Sequence, residues 1–156
     1  MRVGLGFDVH AFAEGRKLVL GGTTIPFQKG LRGHSDGDVL LHAISDAILG
    51  AASDGDIGLH FPDTDESIKG IESEKILTHV VGRVRTKGFT IVNMDAVVIC
   101  EEPKIAPYRD QLRERIASLL SIDMERVSIK GKTAEGLGFL GEGQGIAAYA
   151  VCLLDE

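Results

Sequence analysis

The sequence predicts an α+β two-layer sandwich, in which a mixed β-sheet carries its helices on one face. Strand and helix patterns alternate through the second half of the chain, the first half holds a short hairpin, and 156 residues is the usual size of one domain. Residues 1–156 are therefore read as a single unit. No helices remain to cover the opposite sheet face, which is expected to pack on a neighbouring subunit.

Over residues 3–9, Val3, Leu5, Phe7 and Val9 alternate with Gly4, Gly6 and Asp8. That period of two marks a half-buried strand and puts Asp8 and His10 on one face. Residues 17–20 and 23–27 flank Gly21-Gly22 as a hairpin. After the polar stretch Gly33-His34-Ser35-Asp36-Gly37, residues 38–52 have helical length, cap-type residues ahead of them and apolar side chains over most of their circumference, which predicts a mostly buried helix. Residues 53–70 carry Asp, Gly and Pro at turn density and read as a loop of the length that often serves function. A second helix over 73–87 presents Ile76, Leu77, Val80, Val81 and Val84 on one face and stops at Gly88. Residues 89–101 are strand-like. Pro107 suits a first helical turn, and Leu112, Ile116, Leu119 and Leu120 stripe a third helix. Residues 127–132 and 145–154 supply two more strands around a Gly-rich turn.

Seventeen basic against twenty-three acidic side chains give a net charge of −6, which argues against a nucleic-acid or anionic-lipid partner. Any anionic ligand must be held locally or through metal. No run of eighteen apolar residues is present to cross a bilayer. Cys100 and Cys152 lie far apart in apolar runs, so neither a Cys-x-x-Cys site nor a disulfide framework is suggested. With no targeting pattern at the start, a cytoplasmic setting is expected.

Asp8, His10 and His42 form the first candidate site. A strand sets a carboxylate beside an imidazole, and a helix crossing the sheet adds a third ligand, giving a tetrahedral cation with one open position. On the helix, Asp38, His42, Ser45 and Asp46 make a polar stripe at i, i+4, i+7 and i+8. A solvated face is the plain alternative. Zinc suits this mixed donor set better than calcium or magnesium, with manganese or iron left open. Asp46 could hydrogen-bond a ligand imidazole or a substrate hydroxyl.

His34-Ser35 precedes a helix, where free N–H groups favour phosphate, or where Ser35 or Asp36 simply caps. Pro103-Lys104 and Lys132-Thr133-Ala134-Glu135 follow strands and offer a lysine and a hydroxyl to phosphate and a carboxylate to a second divalent cation; solvated surface is the alternative. Gly136-Leu137-Gly138-Phe139-Leu140-Gly141 matches the dinucleotide fingerprint by letter, but no helix, strand and acid follow in the required order.

Together with Gly6-Phe7-Asp8-Val9-His10, Gly55-Asp56-Ile57-Gly58, Phe61-Pro62-Asp63-Thr64-Asp65 and Gly138-Phe139, these segments run in unbroken order along the chain. In that pattern the chain resembles the 2-C-methyl-D-erythritol 2,4-cyclodiphosphate synthase family. The resemblance implies a homotrimer with sites shared between neighbours, a metal-dependent lyase reaction that closes a cyclic diphosphate and expels CMP, and a place in non-mevalonate isoprenoid biosynthesis. By likeness, Asp8, His10 and His42 bind zinc, His34 and Thr133 support the transition state, and Ser35 contacts phosphate. Asp56, Ile57, Gly58, Phe61, Pro62, Asp63, Thr64 and Asp65 would line a substrate loop around the methylerythritol part, and Val9 and Asp46 would also contact substrate. Cys100, Glu101, Glu102, Pro103, Lys104, Ile105 and Ala106, with Lys132, Thr133, Ala134 and Glu135, would form the cytidine and diphosphate pocket of the adjacent subunit. Glu135 would hold magnesium or manganese, and Phe139 and Glu142 complete the substrate set. Members whose trimer cavity holds an isoprenoid diphosphate have a base where this chain has Glu142, so weak or absent binding of that anion is expected. A zinc phosphohydrolase and a non-catalytic ligand-binding trimer are the competing readings.

Overall fold

The computed structural model describes all 156 residues. A long strand, β1 (Arg2–Ala13), leads into the hairpin β2 (Leu18–Leu20) and β3 (Thr23–Ile25) and a short β4 (Gly30–Leu31). Then follow α1 (Val39–Ala51), α2 (Ile57–His60), α3 (Ser73–Thr86), β5 (Thr90–Ile99), α4 (Arg109–Leu120), β6 (Val127–Lys132), α5 (Gly138–Gly141) and β7 (Gly145–Asp155). Five strands form one sheet in the order β4-β1-β7-β5-β6. Only β5 and β6 are parallel, joined by a crossover through α4; the other pairs are antiparallel. The mixed sheet with helices on one face is as the sequence predicts.

Small residues set how closely the sheet meets its principal helix. Ala43, Ala47 and Ala51 lie on one face of α1, and Gly4 and Gly6 face them from β1. A Cβ on Gly6 would stand 1.8 Å from the Ala43 carbonyl oxygen, and one on Gly4 2.0 Å from that of Ala47. The backbones therefore approach to a separation that no side chain on β1 permits. The core fills the space between sheet and helices, with Leu40, Leu41, Ile44, Ile48 and Leu49 of α1 fully buried at its centre.

The alternating pattern in β1 is inverted relative to burial. Gly4 and Gly6 point into the core, whereas Val3, Leu5 and Phe7 stand 68%, 66% and 46% exposed on the sheet's open face, beside Tyr149 and Val151 of β7. Residues 53–70, expected as loop, contain α2 and a 3-10 turn at Glu66–Ile68. Asp56 caps α2 by accepting from Leu59 N–H at 2.9 Å, and Asp65 caps the 3-10 turn through Ser67. Pro107 lies in a 3-10 turn, Ala106–Tyr108, with α4 beginning at Arg109. The Gly136–Gly141 stretch forms only a four-residue helix before β7, as expected of a decoy.

Candidate functional site

β1 and α1 bring the first triad together. Asp8 and His10 share the helix-facing side of β1, and the close strand–helix contact at Gly6 and Ala43 carries His42 onto them. Asp8 Oδ2 lies 2.7 Å from His10 Nε2 and 3.0 Å from His42 Nδ1, and the two ring nitrogens are 3.3 Å apart. A tetrahedral zinc with bonds of about 2.0–2.1 Å separates its ligand atoms by roughly 3.3 Å, so the donor set fits with little adjustment.

The outer hydrogen bonds orient both rings for ligation. His10 Nδ1 meets the Arg32 carbonyl, which can only accept, so Nδ1 carries the proton and Nε2 faces the cluster. His42 Nε2 is turned away toward Ser73 Oγ at 2.9 Å and Ser35 Oγ at 3.1 Å, leaving Nδ1 to the cluster. Burial works against charge on both Asp8 and His10, yet their contact prevails. Hydrogen bonds from His10 and His42 hold the Asp8 carboxyl well below the usual carboxylate range, and Asp8 raises His10. The Asp8 carboxylate set between two imidazoles offers a cation three donor atoms, for which the proton on His10 competes.

Above the triad opens a cavity of about 250 Å³. Its walls include Asp8, His10, His34, Ser35 and His42, with Ile57, Gly58, Phe61, Asp63 and Asp65 from the segment after α1. The structure thus brings these expected residues together. Val9, Asp46, Asp56, Pro62 and Thr64 do not line it. Val9 points to the open face, and the Asp46 carboxylate accepts from Ile57 N–H at 2.8 Å, anchoring α2. Lys69, Ile68, Ile71 and Ile76 also line the cavity, Ile76 from the buried apolar stripe of α3.

Two expectations are corrected. The stripe on α1 is not one surface: only His42 joins the triad, Ser45 bonds back to Leu41 O at 2.8 Å, and Asp46 reaches no imidazole. Asp38 is the helix cap, fully buried, accepting from the N–H groups of Leu41, Gly21 and Gly22 at 3.0, 2.9 and 2.7 Å. Burial pushes its carboxyl up to about 6, opposed by those donors. Because Asp38 fills the helix N-terminus, a phosphate at His34-Ser35 would not sit on it. The Ser35 hydroxyl is itself engaged with His42 and the Gly37 N–H. Arg16, missed in the sequence, clamps this stretch through the Gly33 and Ser35 carbonyls at 3.1 and 2.7 Å.

A second cavity of about 390 Å³ lies where β5 and β6 end. Cys100, Pro103, Lys104, Ile105, Ala106, Lys132 and Thr133 line it, joined by Arg109 and Lys130. A Cβ on Gly131 would fall 2.7 Å from Ile105 Cβ, so glycine lets β6 close on the 103–106 segment. Glu101, Glu102, Ala134 and Glu135 stand outside the lining. Glu101 Oε1 ties the two segments by accepting from Ala134 N–H at 2.9 Å, and Thr133 donates to Glu135 Oε1 at 2.8 Å. Burial pushes the Cys100 thiol up to about 11, so no thiolate nucleophile is present there. Phe139 and Glu142 line neither cavity; Glu142 accepts from Gln144 Nε2 at 2.7 Å.

The two cavities share no residue. Val9, Ala147, Ile99 and Lys132 form one row across β1, β7, β5 and β6. Cross-strand partners share a face, so Lys132 belongs to the open face while Asp8 and His10 belong to the helix face, about 14 Å away by strand spacing.

The model of the YgbB family matches residues 1–155. The 2-C-methyl-D-erythritol 2,4-cyclodiphosphate synthase of Laribacter hongkongensis is 57% identical over all of this chain and 96% of its own length, and that of Chloroherpeton thalassium is 53% identical over all of this chain and 99% of its own. Among solved structures, a 2C-methyl-D-erythritol-2,4-cyclodiphosphate synthase in a CDP-bound form superposes with a TM-score of 0.91 at 39% identity, covering 99% of this chain and 100% of that one. The bifunctional IspDF of Campylobacter jejuni gives 0.94 at 42% identity over 98% of this chain, which spans 42% of that longer protein. No helix here is long and apolar enough to cross a membrane. From this full-length likeness and the converging Asp8, His10 and His42, the chain belongs to the YgbB family, the family of its cyclodiphosphate synthase relatives.

Proposed function

We propose that the protein cyclises 4-diphosphocytidyl-2-C-methyl-D-erythritol 2-phosphate to 2-C-methyl-D-erythritol 2,4-cyclodiphosphate, a phosphorus–oxygen lyase reaction of isoprenoid precursor biosynthesis. The 2-phosphate oxygen attacks the β-phosphorus, a new P–O bond forms, and the bond to the α-phosphate oxygen breaks to release CMP. The nucleophile is a phosphate monoester with a second pKa of about 6, already largely ionised, so no general base is required. No Ser/His/Asp triad is needed. What remains for the protein is to fold the substrate in line and place charge against it.

The observation that carries this reading is the Asp8, His10 and His42 cluster opening into a cavity walled by residues 57–71. Bound there, zinc would supply Lewis acidity to the diphosphate, and magnesium or manganese at Glu135 would add neutralising charge. Glu135 belongs to no cluster of three donor side chains, which suits a cation held largely by substrate phosphates. Ile57, Gly58, Phe61, Asp63 and Asp65 position the methylerythritol part, while His34 and Thr133 donate hydrogen bonds as charge moves. Cys100–Ala106 and Lys132–Glu135 of a neighbouring copy bind the cytidine and diphosphate. The exposed apolar row of β1 and β7 and the separation of the two cavities, which share no residue, support a homotrimer with shared sites.

Incubation of the substrate with zinc and magnesium tests the reading. CMP and a cyclic product should appear without inorganic phosphate, and His42→Ala should abolish both. Release of inorganic phosphate would point to the hydrolase instead. Glu142, held by Gln144 on the exposed turn after α5, should keep isoprenoid diphosphates from binding tightly; a calorimetric titration with farnesyl diphosphate checks this.

A further inference from the structure

Ser73, the first residue of α3, is fully buried beside the triad yet belongs to neither β1 nor α1. Its Oγ stands 2.9 Å from His42 Nε2 and donates to Asp36 Oδ1, and its N–H donates to Asp36 Oδ2 at 3.1 Å. The proton inventory follows. A serine hydroxyl has one proton, and an ionised Asp36 can only accept, so that proton goes to Asp36. Toward Ser73, His42 must therefore donate its Nε2–H, which leaves Nδ1 as the ring's ligating atom. Ser35 Oγ, at 3.1 Å, is a longer alternative acceptor for the same proton.

The same network fastens the far end of the cavity wall. Asp36 N–H donates to Ile71 O at 3.2 Å, and Gly70 N–H donates to His34 O at 2.6 Å. Residues 70–73 are thus held to the 34–36 stretch at the point where His42 is oriented. We propose that Ser73 is a positioning residue that fixes His42 in its metal-ligating orientation and couples that orientation to the 57–71 wall of the cavity. This rests on the reading of His42 as a metal ligand.

Zinc affinity of Ser73→Ala, measured by competition with a chromogenic chelator, should fall about 10–100-fold, the usual effect of removing a ligand's outer partner. Asp36→Ala, which removes the acceptor and frees the serine proton to point at His42, should weaken zinc in the same direction and covers the case in which Ser73→Ala does not fold. In the zinc-loaded wild type, a slowly exchanging His42 Nε2–H proton signal should be visible by NMR, and zinc should slow hydrogen exchange over 57–71. Both effects should shrink in the variants. Wild-type zinc affinity in both, or unchanged exchange over 57–71, overturns the proposal. His42→Ala separates the two failures: if it binds zinc as tightly as wild type, the ligand assignment itself is wrong.

Discussion

Gly6→Ala is the sharpest test of how the fold builds the site. The added methyl would lie 1.8 Å from Ala43 O, 2.7 Å from Ala47 N and 2.8 Å from Ala43 C, all backbone atoms of α1 that no rotamer change can move. Restoring ordinary contact requires strand and helix to part by more than about 1 Å. Overpacking of this kind costs about 3 kcal/mol. For a chain of this length that corresponds to a fall in Tm of roughly 6–12 °C. Asp8 lies two residues along β1 and His42 directly precedes Ala43, so the same displacement separates the zinc ligands, whose bond lengths tolerate only about ±0.2 Å. Zinc affinity should drop together with Tm. The assays are differential scanning calorimetry and chelator competition, with Gly82→Ala as control. Gly82 lies inside α3 with nothing within 4 Å of its added Cβ, so alanine there should stabilise by up to about 1 kcal/mol. A Gly6→Ala protein with Tm within about 2 °C of wild type and undiminished zinc affinity would refute the reasoning.

Asp38→Ala removes the acceptor of three N–H groups in the core and should cost about 3 kcal/mol or more in urea unfolding, with Asp38→Asn losing less. The Asp8–His10 contact predicts a pH dependence of the metal-free protein. Asp8 is depressed, so its contribution is present above its unfolded value of about 3.9 and is lost as pH falls through the folded one; His10 is raised, so its contribution is complete below about 6.5 and is lost as pH rises through the folded value. The stability difference between wild type and Asp8→Asn should therefore be larger at pH 5.5 than at pH 8; a difference that grows with pH would contradict this. Conversely, zinc must displace the His10 proton, so zinc affinity should weaken as pH drops from 8 to 6, read by the same chelator competition.

The order of the long elements, the buried α1, the hairpin at Gly21-Gly22 and the two amphipathic stripes of α3 and α4 were legible in the chain because each depends on local periodicity and turn chemistry. Asp8 and His10 on one strand face, with His42 on a helix, could be read from spacing alone, and the family segments named the rest of the site. Ser73, Arg16, Lys69 and Arg109 could not be found this way. Each is an ordinary cap or surface residue by pattern, and only long-range contact gives it a partner.

The direction of β1 shows where local reading ends. Period two separates Val3, Leu5 and Phe7 from Gly4 and Gly6, but apolarity would have placed the first set inward. The tertiary structure puts the glycines there, because only a strand without side chains lets α1 descend far enough for His42 to meet Asp8 and His10. Likewise Asp38, His42 and Asp46 share one helical stripe, yet each meets a different element: the hairpin turn, the triad and α2. By itself the sequence determined which residues share a face; which face is buried, and what each side chain meets across it, was decided by the approach distance of distant backbones, a quantity that periodicity does not encode.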